Sequence, residues 1–421
     1  MFGRRYASFR FLVLAGGILP SLSLGSMTLK GVFDEALSHT EMVPAENTHV
    51  EQAQERRVQA IGRLLPSLSF STLYQRQENA HSATGTSQLA PDQTTAKFTL
   101  IQPLFHGFGD FAEYRSRLAG LSASEATREN ARLQLYQTVA KAFYGLLAAR
   151  ADQSILEKTL ELTKERVSEL QKRAGIGRSR KSEVLAARTQ LVGVQAQVEA
   201  AEQAMLSATE QFRFATGLTA IPDVSETRMI DSIAIPEISF LVSQIENRPD
   251  VRAQKYNLNS ASEQIVVARA GHFPSLDFSG NYYVKRTGAL ANVDWDLGLQ
   301  LTVPLFQGGA IQAAVRENVE KEKDADLTLA RTRRNAATEV RTLYDSMKSQ
   351  VRQFKTLQEA ETTAEESYRE QSKDFRYGLV TNIDVIQALN TYQDSRRQTE
   401  KIRFAVLTTE ALLEAAVGKL P

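Results

Sequence analysis

The sequence predicts an α+β membrane protein built on an internal duplication. Three chains would share a twelve-stranded β-barrel, four strands from each, continued by a twelve-helix periplasmic coiled-coil tunnel. Three observations predict it. A leader-like N-terminus precedes a chain with no apolar span. Two strand hairpins far apart share one design. Two proline-free stretches of sixty-odd residues follow those hairpins at identical spacing.

The N-terminus comes first. Arg4, Arg5 and Arg10 form a positive region, and an apolar run from Phe11 to Leu24 ends in Ser23-Leu24-Gly25. Small residues there suit a signal peptidase, so residues 1–25 read as a cleavable secretory signal. Gly16, Gly17 and Pro20 argue against a buried helix. No later run approaches the ~18 apolar residues a spanning helix needs. A mature chain that crosses a membrane must then do so as a closed β-barrel. At 421 residues the chain exceeds one typical domain, and 42% apolar content is ordinary for folded protein. A net charge of +1 gives no sign of a nucleic-acid partner. The absence of cysteine excludes disulfides, thiolate chemistry and a lipid-modified N-terminal cysteine.

The first repeat is read over 26–225 and the second over 226–421. Each opens with a shorter helical pattern, followed by a strand hairpin. The first hairpin, 65–105, starts at Leu65-Pro66-Ser67-Leu68 and returns through Lys97-Phe98-Thr99-Leu100-Ile101-Gln102-Pro103-Leu104-Phe105. The second, 273–306, starts at Phe273-Pro274-Ser275-Leu276 and returns from Trp295 to Phe306. Along that return Trp295, Leu297, Leu299, Leu301, Val303 and Leu305 share one face, and Asp296, Gly298, Gln300 and Thr302 the other. Such period-two patterning suits a strand between lipid and a wet lumen. A half-buried strand of a soluble sandwich would look the same, so context decides.

Long helices are expected at 109–173 and 309–376. Leu156, Leu160, Thr163, Val167 and Leu170 recur at spacings of four and three in one, and Val340, Tyr344, Met347, Val351 and Phe354 in the other. At ~1.5 Å per residue each makes a rod of roughly 100 Å. Only coiled-coil-like packing buries such rods. Tips at 174–182 and 377–382 carry glycines that end a helix in the left-handed conformation. Return helices follow at 183–217 and 383–417, the second opened by a capping-box-like Thr381 and Asp384.

The spacing reveals the duplication. Pro103 and Pro304 are 201 positions apart, and so are Gly177 and Gly378. Pro66 and Pro274 differ by 208, so only the first hairpin loop is longer, by seven residues. Rods held in register have fixed length while loops vary. Four strands cannot close an open-lumened barrel, and a bare edge is not tolerated in lipid. Three copies supply twelve strands, and their twelve rods form a tube continuing the barrel. Pro103 and Pro304 are expected to stop the sheet ladder, with Gly107/Gly109 and Gly308/Gly309 bending the chain onto each rod.

In that order and duplication the sequence resembles the TolC-like outer-membrane efflux and secretion channels. The resemblance covers nearly the whole mature chain. It includes Asn247-Arg248-Pro249-Asp250-Val251 before the second hairpin, the Leu-Pro-Ser-Leu and Phe-Pro-Ser-Leu strand starts and the paired Pro-Leu-Phe ends. It implies a homotrimer in outer-membrane lipid, a passive conduit for efflux or type I secretion. Its partners would be a periplasmic adaptor (membrane fusion protein) and an inner-membrane transporter of RND, ABC or MFS type.

By the same resemblance the tips dock the adaptor and gate the tunnel. The first tip offers Gly177, Arg178, Arg180, Lys181, Glu183, Val184 and Leu185. The second offers Gly378, Leu379, Val380, Thr381 and Val385. The family's aperture carries Asp-Val-x-Asp; here the first position is Asp384 and the second is Gln387, which leaves one acidic ring instead of two. Family members often place an arginine just after the second tip glycine, where this chain has Val380. Asp384 reads equally as a capping residue. Arg178, Arg180 and Lys181 read as a solvated basic loop or as partners of Asp384 or Glu183 across hairpins.

Several motifs are set aside. Gly175–Ser182 lacks the glycine of a phosphate loop before Lys181, and Gly107-Phe108-Gly109 lacks the third glycine of a dinucleotide fingerprint. His39, His49, His81, His106 and His272 show no carboxylate or second histidine at ligand spacing. No catalytic constellation emerges, so an enzyme, a metal centre or a cofactor is not expected. The rival readings are a periplasmic adaptor, which would need a glycine-rich lipoyl-type module, and a coiled-coil structural protein, which would not need the hairpins.

Overall fold

The computed structural model describes residues 26–76, 92–230, 233, 235–287 and 290–421. The leader expected over 1–25 lies outside the described residues, as do His81 and residues 77–91 of the first hairpin loop. In chain order the elements are α1 (Leu29–His39), α2 (Met42–Gly62), β1 (Ser67–Arg76), β2 (Asp92–His106), α3 (Gly109–Gly175) and α4 (Lys181–Thr216). The second half adds α5 (Ile238–Ser243), a 3₁₀ turn (Gln244–Asn247), α6 (Pro249–Ala270), β3 (Ser275–Arg286), β4 (Trp295–Thr302), α7 (Ala310–Tyr377) and α8 (Asn382–Ala416).

The four strands form one antiparallel sheet in the order β1-β2-β3-β4, so β1 and β4 are edges. Register alternates the faces as the sequence pattern requires. Phe70, Phe98, Tyr282 and Trp295 lie in line on one face, and Ser69, Thr99, Asn281 and Asp296 on the other. The rods α3 and α7 contain 67 and 68 residues, roughly 100 Å each. Among the described residues no helix is long and apolar enough to cross a membrane.

The strand-to-rod junctions correct two expectations. Pro103 does not stop the ladder: β2 runs on to His106, with an irregularity between Pro103 and Phe105 that absorbs the missing N–H. Pro304 does lie beyond its strand, since β4 ends at Thr302 and not at Phe306. The difference is one of partners. β2 is held by β3 down to His106, whereas β4 has nothing on its outer side. Gly107 takes φ +59°, but the next left-handed residue is Phe108 at +65°, not Gly109. Gly109 serves close approach instead, because a Cβ there would lie 2.7 Å from the Ala270 Cβ on α6. Gly308 and Gly309 both have positive φ, as expected.

A belt crosses the rods at mid-length. From α1, Val32, Phe33 and Ala36 bury against Tyr136, Val139, Ala140 and Phe143 of α3, with Phe33 edge-on to Tyr136 at 5.3 Å. Phe212, Val224, Leu407 and Ala411 complete that core. Inside it, the Tyr144 hydroxyl donates to Glu226 at 3.0 Å and accepts from Arg228 at 2.7 Å, while Arg228 also donates to Glu410 at 3.1 Å. Burial pushes both the Tyr144 phenol and the Glu410 carboxyl up from their ordinary values.

Arg248 ties the second half together. Its guanidinium grips Asp250 through two bonds of 3.0 and 2.9 Å and donates to Glu339 on α7 and to the Ala416 carbonyl ending α8, both at 2.8 Å. Its side chain is only 11% exposed. Removing the guanidinium takes four hydrogen bonds from two part-exposed carboxylates and the Ala416 carbonyl. Arg248→Ala is therefore expected to destabilise the fold by about 2 kcal/mol, read as a lower urea midpoint for the detergent-purified protein; an unchanged midpoint would refute the role.

Candidate functional site

The chain presents two working surfaces: the sheet and the helical tips. The sheet's apolar face is bare in a single protomer. Leu68, Phe70, Leu100, Tyr282, Trp295, Leu297, Leu299 and Leu301 are all exposed. Phe70 and Phe98 pack ring to ring at 5.0 Å across β1 and β2. The opposite face carries a hydrogen-bonded polar rung. Lys97 Nζ and Thr99 Oγ1 each donate to Asn281 Oδ1 at 2.9 Å, Asn281 donates to Asp296 at 2.7 Å, and the Tyr283 hydroxyl donates to the other Asp296 oxygen at 2.7 Å. Lipid on one side and water on the other is the environment this sheet fits.

Where sheet meets rod, His106 is held between two carboxylates. Nδ1 lies 2.7 Å from Asp110 and Nε2 lies 3.0 Å from Asp277. The expectation of histidines without carboxylates is corrected here. Asp110 stands four residues on, a spacing legible in the sequence and passed over, whereas Asp277 is 171 positions away and only the fold brings it in. Among the described residues no group of three or more His, Asp or Glu is arranged to hold a metal.

The two tips are built alike. Arg178 N–H donates to the Arg173 carbonyl at 2.8 Å and Gly177 N–H to Ala174 at 3.1 Å. Leu379 donates to Asp374 at 3.0 Å and Gly378 to Phe375 at 3.1 Å. Both are Schellman motifs, with Gly177 at φ +73° and Gly378 at +78°. The return helices differ in their first turns. Glu183 accepts from the Ser179 hydroxyl and, at 3.3 Å, from the Arg180 amide. Asp384 accepts from the Thr381 hydroxyl at 2.6 Å and from its amide at 2.8 Å. The hydroxyl bond first, then the amide, holds the Asp384 carboxyl below its usual value.

Within one protomer the structure does not bring the basic residues to the acidic ones. Among the described residues Arg178, Arg180 and Lys181 form no ion pair, and Asp384 is engaged by its own cap. The two hairpins share an apolar core: Val167, Leu170, Ala187, Phe375 and Val385 are buried together, with Val184, Val380 and Ile386 against them. Leu185 and Leu379 stay exposed.

Three tip contacts were not anticipated. Arg166 and Arg173 of α3 stack on the Phe375 ring at 4.2 and 4.7 Å, Gln190 donates to Asn390 at 2.7 Å, and Tyr368 stacks on Tyr392 at 6.2 Å. The seven-residue interval from Tyr368 to Phe375 was the available signal. Beside them Glu169, Tyr368, Arg376, Val385 and Leu389 line a cleft of about 210 Å3.

A sheet polar on one face and apolar on the other, set on long rods that each turn back into a return helix, defines one protomer of a barrel-and-tunnel outer-membrane channel. The chain belongs to the outer membrane efflux protein family, whose profile matches residues 32–218 and 241–419, one segment in each half. It is similar to the outer membrane protein TolC of Salmonella enteritidis, 23% identical over 88% of this chain and 77% of that one. It is also similar to the pyoverdine export outer membrane protein OpmQ of Pseudomonas aeruginosa, at 24% over 94% and 86%. Among solved structures CusC superposes with a TM-score of 0.83 at 17% identity, covering 93% and 92% of the two chains. The Campylobacter jejuni CmeC outer membrane channel gives 0.82 at 20%, covering 93% and 85%. The protein is an outer-membrane channel for efflux or secretion and not an enzyme.

The Asp384 cap has a defined pH dependence. Its folded pKa is depressed, so the stabilisation is complete above the usual carboxylate value, near ~4, and is lost as pH falls through the lower folded value. Amide protection at the start of α8, taken relative to the intrinsic exchange rate at each pH, is expected to hold from neutral pH down to about 5 and to fall only below ~4. Asp384→Ala should show the lower protection already at neutral pH. Equal protection in the two proteins would remove the capping role.

Proposed function

We propose that three copies of this chain close a twelve-stranded barrel and a twelve-helix tunnel, whose tips form a gated periplasmic aperture. A periplasmic adaptor would dock on the tips and an inner-membrane transporter, of RND, ABC or MFS type, would deliver cargo through the opened end. The observation that carries this reading is the open four-stranded sheet, apolar on one face and polar on the other, joined to rods of roughly 100 Å. Two bare edges in lipid would leave backbone groups unpaired, and further copies satisfy them. Three-fold closure puts the polar rung of Lys97, Asn281 and Asp296 on the lumen.

At the aperture Asp384 supplies one acidic ring and Gln387 the next helical turn. The exposed Arg178, Arg180 and Lys181, with Val184, Leu185, Leu379, Val380 and Thr381 nearby, offer the adaptor a basic and apolar rim. Relatives serve different cargo, one named for pyoverdine export and one for protease secretion, so the shared fold carries passage and not selection.

The test is purification from membranes in detergent, cross-linking, and conductance in planar bilayers. A trimer with a small resting conductance is expected; a monomer without conductance would overturn the reading. Asp384→Ala should reduce cation selectivity or divalent-cation block, and unchanged values would leave only the cap. Neutralising Arg178, Arg180 and Lys181 together should raise resting conductance if they help hold the tips closed. Unchanged conductance would assign them to solvent.

A further inference from the structure

The duplication holds in the packing as well as the sequence, and this makes the contact between protomers readable from contacts within one. The β1–β2 register transfers onto β3–β4 when helix-to-strand positions advance by 208 and strand-to-rod positions by 201. Ser67↔Ile101 becomes Ser275↔Thr302, and Leu68↔Leu100 becomes Leu276↔Leu301. The turns entering the sheet obey the same shift: Leu65 N–H bonds to the Gly62 carbonyl at 3.3 Å and Phe273 N–H to Ala270 at 3.0 Å. So do the first turns of the rods, with Ala112 bonded to Phe108 at 3.0 Å and Ala313 to Gly309 at 3.1 Å.

At the barrel end one contact has no counterpart inside the chain: β2 and α3 against β3 and α6. Its shifted image would join β4 and α7 to a β1 and an α2, and both of those surfaces are bare. Gly107, Gly109, Ala112 and Ser116 are buried, while their images Gly308, Ala310, Ala313 and Glu317 are exposed. Phe105 is half-buried; its image Phe306 is 88% exposed.

Two side-chain correspondences then point to the occupant. At the closest helix approach a Cβ on Gly109 would lie 2.7 Å from that of Ala270, so only one of the two positions can carry a methyl. The images are Ala310 and Gly62, which keep one methyl with its side exchanged. The ion pair of Arg115 Nη2 with Glu263 Oε2, 2.8 Å, has as its images Arg316 and Glu55. Among the described residues neither of these has an ion-pair partner.

We infer that β4 and α7 of one protomer meet the partner subunit's β1 and α2 in the register that β2 and α3 keep with β3 and α6. Thr302 then stands opposite the partner subunit's Ser71, as Ile101 stands opposite Ser279. Val303 to Gln307 join the strand, with Phe306 opposite the partner subunit's Leu68, as Phe105 stands opposite Leu276. Ala310 packs on the partner subunit's Gly62, and Arg316 pairs with the partner subunit's Glu55. The inference rests on the trimeric closure proposed above and specifies its seam.

The chain has no cysteine, so disulfide trapping reads the register directly. Within one chain positions 302 and 71 lie three strand spacings apart and eight residues out of line along the strands, roughly 30 Å, beyond disulfide reach. Thr302→Cys with Ser71→Cys is expected to give a covalent trimer on non-reducing gels after boiling. The two-residue slips, Thr302→Cys with Ser69→Cys or with Leu73→Cys, should give far less. Arg316→Glu and Glu55→Arg should each lower the temperature at which the detergent trimer dissociates, and the two together should restore it. Preferential trapping of a slipped pair, or a double variant no better than the worse single one, would overturn the inference while leaving the trimer intact. A wild-type protein without any trimer would instead overturn the closure on which it rests.

Discussion

A backbone amide in hydrocarbon must find a partner inside the protein, because lipid offers none and each orphan costs several kcal/mol. That requirement governs this chain from its sheet outward. Four strands satisfy one another only in the middle, and β1 and β4 each present a full row of unpaired groups. Closure by further copies removes both edges together. In a lone protomer β4 ends at Thr302, while β2, held by β3 beyond the end of β1, continues to His106.

The rods follow from the same geometry. Helices of 67 and 68 residues must start level at the barrel rim and finish level at the tips. Left-handed glycines mark both ends, Gly107 and Gly308 at the rim, Gly177 and Gly378 at the tip. Between them the belt fixes the rods laterally. Its core is apolar around Tyr136, Phe143 and Leu407, but two arginines set its alignment. Arg228 gathers Tyr144 of the first half with Glu226 and Glu410 of the second, and Arg248 gathers Asp250, Glu339 and the end of α8. Guanidinium forks hold carboxylates in a fixed geometry, which resists the sliding that aliphatic packing alone permits.

The tips are held together by less than the belt is. Their joint core is small, and its aromatic centre is a single Phe375 ring clasped by Arg166 and Arg173. Asp384 accepts both the Thr381 hydroxyl and amide on one oxygen, Oδ2, within its own turn. The basic residues of the first tip reach no acidic partner in the same protomer. Cohesion inside one protomer is therefore mainly apolar and cation–π, with the Gln190–Asn390 hydrogen bond beside it, and the basic side chains of the first tip are left on the surface.

Much of the fold was legible in the sequence because it rests on periods and spacings. Alternation from Trp295 to Leu301 sorted the faces of β4, and four-three spacing from Leu156 to Leu170 marked the buried seam of α3. The 201-residue interval showed that rod length is held constant. The His106 cluster, the lumenal rung and the Phe375 clasp were not legible. Each joins residues from separate elements, and no local period encodes which side chains will face one another. Pro103 shows the limit most plainly: by itself it reads as a strand stop, yet β3 on its far side carries the ladder past it. The sequence by itself determined the duplication, the strand faces and the length of the rods, since these depend on local geometry repeated along the chain. Tertiary structure decided where strands end, which glycine bends and which packs, and which charges meet, because those depend on neighbours that only folding brings within reach.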